Sequence, residues 1–168
     1  ASIAGVLARF GARHDDNPGR LQRWQFGGIT VLLDYAHNPD GLRGLLDVAR
    51  SGHADARLVL VLGQAGNRGD GEIATLAEVA AAAKPVRIVL KDIADMLRGR
   101  AAGEVPAILR KALIAAGTPD AAIIECLDEV AAAQLAVEQA VAGDVVVLPI
   151  HTSRARALLS AWLDARAG

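Results

Sequence analysis

The chain has 168 residues, enough for one domain of ordinary size with a substantial core and short for two. It carries 18 Lys and Arg against 19 Asp and Glu, and the net charge of −1 argues against an electrostatic nucleic-acid binder. Aromatic residues make up only 3%, too few for a base-stacking platform, and no apolar stretch approaches the ~20 residues of a membrane span. Apolar residues nonetheless reach 52%, so the core must be built from Ala, Val, Leu and Ile, a composition suited to parallel strands under Ala-rich helices. No signal peptide is visible, and the single cysteine, Cys126, cannot form an internal disulfide; a cytoplasmic location is expected. Cys126 lies in an apolar run and reads as a small buried hydrophobe.

Ile3, Val6, Leu7 and Phe10 share one helical face, which Gly11 ends. The chain begins at Ala1 already inside this pattern, so a longer protein is expected, with residues 1–13 the tail helix of a preceding domain. Residues 14–20 (His-Asp-Asp-Asn-Pro-Gly-Arg) are polar and turn-rich, as a linker would be. From Leu21 to Phe26 the side chains alternate, Gly27-Gly28 follows, and Ile29 to Leu33 forms a second run: a β-hairpin. Its second arm ends at Asp34, and Pro39 opens a helix running to Ser51. Strands are then expected at Leu58–Leu62, Val86–Leu90, Ala121–Cys126 and Asp144–Leu148. Between and after them come helices at Glu72–Ala83, Glu104–Ala116, Asp128–Val141 and Ser153–Arg166, the last with Ser153 as N-cap. This alternation predicts an α/β fold: a Rossmann-like, mostly parallel sheet of roughly six strands with helices on both faces, preceded by the hairpin.

Three loops leave strand ends with polar cargo: Asp34 to Asp40, Gly63 to Gly71, and Pro149 to Arg154. In a doubly wound sheet they converge on the carboxyl edge, where such sheets build ligand sites. Asp34 could accept hydrogen bonds from a ribose or cap a turn; His37 could meet a phosphate or nucleobase; Asn38 before Pro39 favours a turn. The glycine-rich loop resembles an anion cradle, since free N–H groups at a helix start attract negative charge. It lacks the Gly-x-x-x-x-Gly-Lys-Ser/Thr spacing, and no Gly-x-Gly-x-x-Gly follows the first strand, so a dehydrogenase is disfavoured. Lys91, Asp92, Asp95, Arg98 and Arg100 form a charged loop, either a solvated surface or a specificity loop. The four histidines are scattered and no metal constellation is apparent.

Pro18-Gly19-Arg20, a hairpin, and then Leu33-Asp34-Tyr35-Ala36-His37-Asn38-Pro39-Asp40 resemble the carboxyl-terminal, glutamate-ligase-type domain of the Mur ligase family. Leu62 to Asp70 with Glu72-Ile73, and Arg98 to Pro106, are similar to the cyanophycin synthetase branch. The resemblance implies ATP-dependent amide-bond formation: a carboxylate becomes an acyl phosphate, which an amine attacks. It implies that residues 21–168 close over ATP and Mg2+ held mostly by a central ATPase domain of the same chain. By the same likeness Arg20, Asp34, His37 and Asn38 would face the nucleotide. Gly63, Asn67, Arg68, Asp70, Arg98, Arg100, His151 and Arg154 would help hold the incoming amino acid. The fragment alone would be inactive, because it has no phosphate-binding loop of its own. An Asp-Asn-Pro-Arg motif typical of diaminopimelate- or lysine-adding members is missing, which argues against a peptidoglycan substrate. The alternative is a non-catalytic Rossmann-like module that binds an anion or nucleotide.

Overall fold

The computed structural model describes residues 21–168; the tail helix expected at 1–13 and the linker at 14–20, with Arg20, lie outside the described residues. The strands are β1 (Gln22–Phe26), β2 (Ile29–Asp34), β3 (Leu58–Leu62), β4 (Arg87–Leu90), β5 (Ile123–Glu125) and β6 (Val145–Pro149). The helices are α1 (Pro39–Arg50), α2 (Asp70–Ala82), α3 (Glu104–Ala115), α4 (Glu129–Glu138) and α5 (Ser153–Ala167). One six-stranded sheet runs in the order β1-β2-β6-β3-β4-β5, antiparallel only in the β1–β2 hairpin. The fold is the expected mostly parallel α/β sheet.

Gly27 (φ 56°) and Gly28 (φ 78°) make the hairpin turn. Two left-handed residues in succession match the twist of the flanking strands, and glycine adopts them without a Cβ penalty. At Gly28 a Cβ would also lie 2.9 Å from that of Ala142.

Strands β3 and β6 are buried at every position, as sheets covered on both faces require. Leu58, Leu60, Leu62, Val145 and Val147 point to one face, under Leu42, Leu45, Ile73, Leu76, Leu109 and Leu113 of α1, α2 and α3. Val59, Val61, Val146 and Leu148 point to the other, under Ala132, Ala136, Leu159 and Leu163 of α4 and α5. Cys126 is partly buried against this second cluster, and burial pushes its thiol pKa up, as for an unreactive packing residue. The Trp24 indole N–H donates to Asp164 Oδ1 at 2.7 Å, fastening the hairpin to α5.

The chain steps outward from β3 to β5, then crosses back to insert β6 between β2 and β3. The carboxyl ends of β2, β6, β3 and β4 therefore stand side by side, and this reversal of order is where open sheets leave a crevice.

Among the local expectations that change, three bear on the site. Helix α5 is capped by Thr152, not Ser153: Thr152 is extended (φ −83°, ψ 139°) and its hydroxyl accepts from the Ala155 N–H at 3.2 Å. Ser153 is already the first helical residue. Helix α2 starts at Asp70, two residues early, because the Glu72 carboxylate folds back to accept the Gly69 N–H at 3.0 Å. Lastly, Lys91 and Asp92 are not part of a solvated loop but are buried, at 0% and 4% exposure.

Candidate functional site

Four connections meet at the carboxyl edge: Tyr35–Asn38 after β2, residues 63–69 after β3, residues 91–103 after β4, and residues 150–152 after β6. They enclose a cavity of about 170 Å³ lined by Tyr35, His37, Gln64, Asn67, Arg68, Arg98 and His151, with Ala65, Ile93 and Met96 beneath. A larger groove of about 780 Å³ runs between α1 and α2, but it shares none of these residues.

Each loop has a local reason for its shape. Asn38 is the N-cap of α1 and accepts the Gly41 N–H at 2.8 Å, while Pro39 begins the helix. This cap turns the chain sharply and leaves His37 exposed at the rim. In the glycine-rich loop the residues are small because another segment lies against them. A Cβ on Gly66 would sit 1.9 Å from the Leu97 carbonyl oxygen, and one on Gly63 would sit 2.7 Å from that of Lys91. The loop is a closed shelf rather than an open anion cradle. Its Gly66 N–H donates to Met96 O at 2.8 Å, that of Gly69 to Glu72, and that of Ala65 to Gln64 Oε1.

Arg100 locks the shelf. Its guanidinium donates to the carbonyls of Gly66 (2.9 Å) and Arg68 (2.9 Å) and to the carboxylates of Asp70 (2.7 Å) and Glu104 (2.7 Å). The Asp70 bond, then that to Glu104, raises its pKa further. Arg98 differs. It adopts a left-handed backbone (φ 52°) before Gly99 (φ 91°), is exposed, and forms no hydrogen bond or ion pair with another described residue. Among the described residues the Arg68 guanidinium has only a long contact, 3.5 Å, with Glu72. The cavity wall thus carries two lightly engaged guanidinium groups and no carboxylate.

Tyr35 forms an aromatic wall, its ring 5.2 Å from that of His37 and 6.0 Å from that of His151, with the Arg156 guanidinium 4.9 Å from its centroid. Behind this wall lies a buried polar network. Lys91 Nζ donates to Glu129 Oε1 at 2.6 Å and lies 3.0 Å from His151 Nδ1. The other ring nitrogen, Nε2, is 3.1 Å from the Ala36 carbonyl. A carbonyl only accepts, so Nε2 carries the hydrogen and Nδ1 accepts from Lys91. Glu129 also takes N–H bonds from His151 (2.7 Å) and Thr152 (3.2 Å) and the Thr152 hydroxyl (2.7 Å).

Burial, aided by the charge of Lys91, lowers the His151 pKa and keeps the ring neutral. Burial likewise lowers the Lys91 pKa, against the pull of Glu129. For Glu129 burial acts upward, but the charge and hydrogen bond of Lys91 and the N–H bond from the His151 backbone outweigh it and hold the carboxyl far below its ordinary range.

Of the sequence-derived site residues, His37, Asn67, Arg68, Arg98 and His151 are brought together around the cavity. Asp34 is at the end of β2, where Oδ2 accepts the Leu21 N–H at 2.8 Å. Gly63, Asp70 and Arg100 shape the shelf. Arg154 faces a separate cavity of about 330 Å³ with Asp95, Asp128 and Leu158. Sequence reasoning missed Tyr35, Gln64 and Glu129, and it placed Lys91 in a charged loop without its burial or its partners. An acidic residue opening an Ala-rich helix, and a lysine directly after Ile-Val-Leu, were the only signals.

The family model described as "Mur ligase, glutamate ligase domain" matches residues 19–149. The chain belongs to the Mur ligase family. Over 148 residues it is 34% identical to cyanophycin synthetase of Synechocystis sp., covering 88% of this chain and 16% of that protein. It is 35% identical over 160 residues to UDP-N-acetylmuramoyl-L-alanyl-D-glutamate–2,6-diaminopimelate ligase of Xanthomonas campestris pv. campestris, covering 88% of this chain and 28% of that one. The chain thus spans well under a third of these relatives. Among solved structures, another diaminopimelate ligase of that name aligns with a TM-score of 0.68 at 23% identity, over 90% of this chain and 32% of its own. E. coli FolC in complex with ADP aligns at 0.63 and 19% identity, over 89% and 32%. Both carry the Mur-ligase fold seen here.

Proposed function

We propose that this domain forms the amino-acid-facing wall of an ATP-dependent, amide-bond-forming ligase of the cyanophycin synthetase type. In that reaction a carboxylate attacks the γ-phosphorus of ATP, ADP leaves, and an acyl phosphate forms. The free amine of an amino acid then attacks the acyl carbon, and phosphate leaves as the amide forms. The observation that carries the reading is the convergence of His37, Asn67, Arg68, Arg98 and His151 on one cavity at the carboxyl edge. A wall with two guanidinium groups and no carboxylate suits the carboxylate of an incoming amino acid, because planar forks pair with it bidentately.

Arg20 and Asp34 are assigned to the nucleotide, with His37 and Asn38 along the same edge. Asn67, Arg68, Arg98 and His151 are assigned to the amino acid, with Gly63, Asp70 and Arg100 shaping the loop around it and Arg154 at its outer margin. The phosphates and Mg2+ are assigned to a central ATPase domain of the same chain. The internal bonds of the Ala65, Gly66, Arg68 and Gly69 N–H groups support the assignment of the phosphates. A domain that completes the site only on closing would shield the acyl phosphate from water.

Steady-state kinetics of the full-length ligase test the assignment. Arg98→Ala should raise the KM for the amino acid roughly 10- to 100-fold, the worth of one charge-assisted hydrogen bond. Asp34→Ala should raise the KM for ATP. An unchanged KM in either variant removes that residue from the site.

A further inference from the structure

Of the buried Lys91–Glu129–His151 network only His151 lines the cavity, and the chemistry above gives Lys91 and Glu129 no part. Lys91 is fully buried and Glu129 and His151 nearly so, which is costly for charged groups unless every member is partnered. Each is partnered, and the partners come from separate parts of the chain: the end of β4, the start of α4, the end of β6 and, through the Ala36 carbonyl, the turn after β2. A purely structural core at this place could have been apolar at lower cost. Instead, a directional hydrogen bond fixes the backbone of the very turn that presents Tyr35 and His37.

We propose that Lys91 and Glu129 are positioning residues, which through His151 hold the Tyr35–Asn38 turn at the correct distance from the glycine-rich shelf and so set the width of the substrate cavity. This rests on the reading of that cavity as the substrate site. Lys91 acts on the substrate only through His151: its ammonium occupies Nδ1, so that Nε2 presents its hydrogen to Ala36. Besides Lys91 and Glu129, the charged and titratable groups facing His151 are Tyr35 with Arg156 behind it, and His37, Arg68 and Arg98 across the cavity. Protonation of His151 would place an N–H opposite the Lys91 ammonium and break the link.

The test uses the full-length ligase with Lys91→Met, His151→Leu and His151→Gln, beside Arg98→Ala. Lys91→Met leaves Glu129 three donors, from His151 and Thr152, so the fold has support without the ammonium. Lys91→Met and His151→Leu should lower kcat/KM roughly 10- to 100-fold, as expected when a reacting group is misplaced by about 1 Å. His151→Gln, which keeps one donor and one acceptor, should recover much of that loss and remove the acid limb of the pH profile that His151 contributes. Imidazole ¹⁵N shifts of the wild-type protein should show the Nε2–H tautomer at pH 7. If Lys91→Met and His151→Leu lower thermal stability but leave kcat/KM within twofold while Arg98→Ala raises KM, the positioning role is overturned and the site stands. If Arg98→Ala is also without effect, the site reading falls, and this inference with it. An Nδ1–H tautomer or an imidazolium at pH 7 overturns the inference directly.

Discussion

At Gly66 an added Cβ would meet the Leu97 carbonyl oxygen at 1.9 Å, a backbone atom that cannot swing away. Gly66→Ala should therefore destabilise the chain by roughly 2–4 kcal/mol, read from the denaturant midpoint. Gly71→Ala is the control: nothing lies within 4 Å of its Cβ, and in the first turn of α2 alanine should be neutral or stabilising by up to ~1 kcal/mol. The sequence displayed both glycines as one motif, and only the packed structure separates the close-contact residue from the helical one. His151 and Glu129 make a second residue-level prediction. Both bind protons more weakly in the folded chain than in the unfolded one, so stability must fall as pH falls. The decline should begin below about 6.5, where the unfolded chain protonates His151, and steepen below about 4.5 for Glu129. Urea titrations from pH 8 to 4 check this, and His151→Gln should flatten the first stage.

The elements were legible because their signals are local. Leu58–Leu62 is an unbroken apolar run, Gly27-Gly28 marks a hairpin, and Asn38-Pro39 marks a helix start. The ends were less so. Thr152 and Ser153 are both good caps, and what selects Thr152 is its hydroxyl bond to Glu129, 23 residues away in sequence. Periodicity contains no term for that contact. The same holds for Lys91, whose burial depends on a carboxylate from α4. Caps give a graded prediction at this scale. Asn38→Ala should cost about 1 kcal/mol, the usual worth of an N-cap. Thr152→Ala removes both a cap and a donor to buried Glu129, so its cost should be larger, roughly 2 kcal/mol. Equal losses in thermal melts would show that the Glu129 bond adds nothing.

For the whole molecule, inserting β6 between β2 and β3 turns four separate loops into one edge, and the cavity follows from that strand order. Strand alternation predicted the loops would share an edge, but not which side chains would touch. His37, Asn67, Arg68, Arg98 and His151 came together, whereas Arg154 turned to a different cavity and Arg100 into the chain itself. A domain that supplies one wall of a site should be unable to work alone, so purified chain 1–168 should not turn over ATP with any amino acid present. The most direct measurement is hydrogen–deuterium exchange of the full-length ligase, with and without an ATP analogue plus each of a panel of amino acids. Protection within this domain should concentrate in residues 34–40 with the ATP analogue, and in residues 63–70 and 91–100 only with the amino acid that is joined. Protection confined to other domains, or to the groove between α1 and α2, would contradict the account.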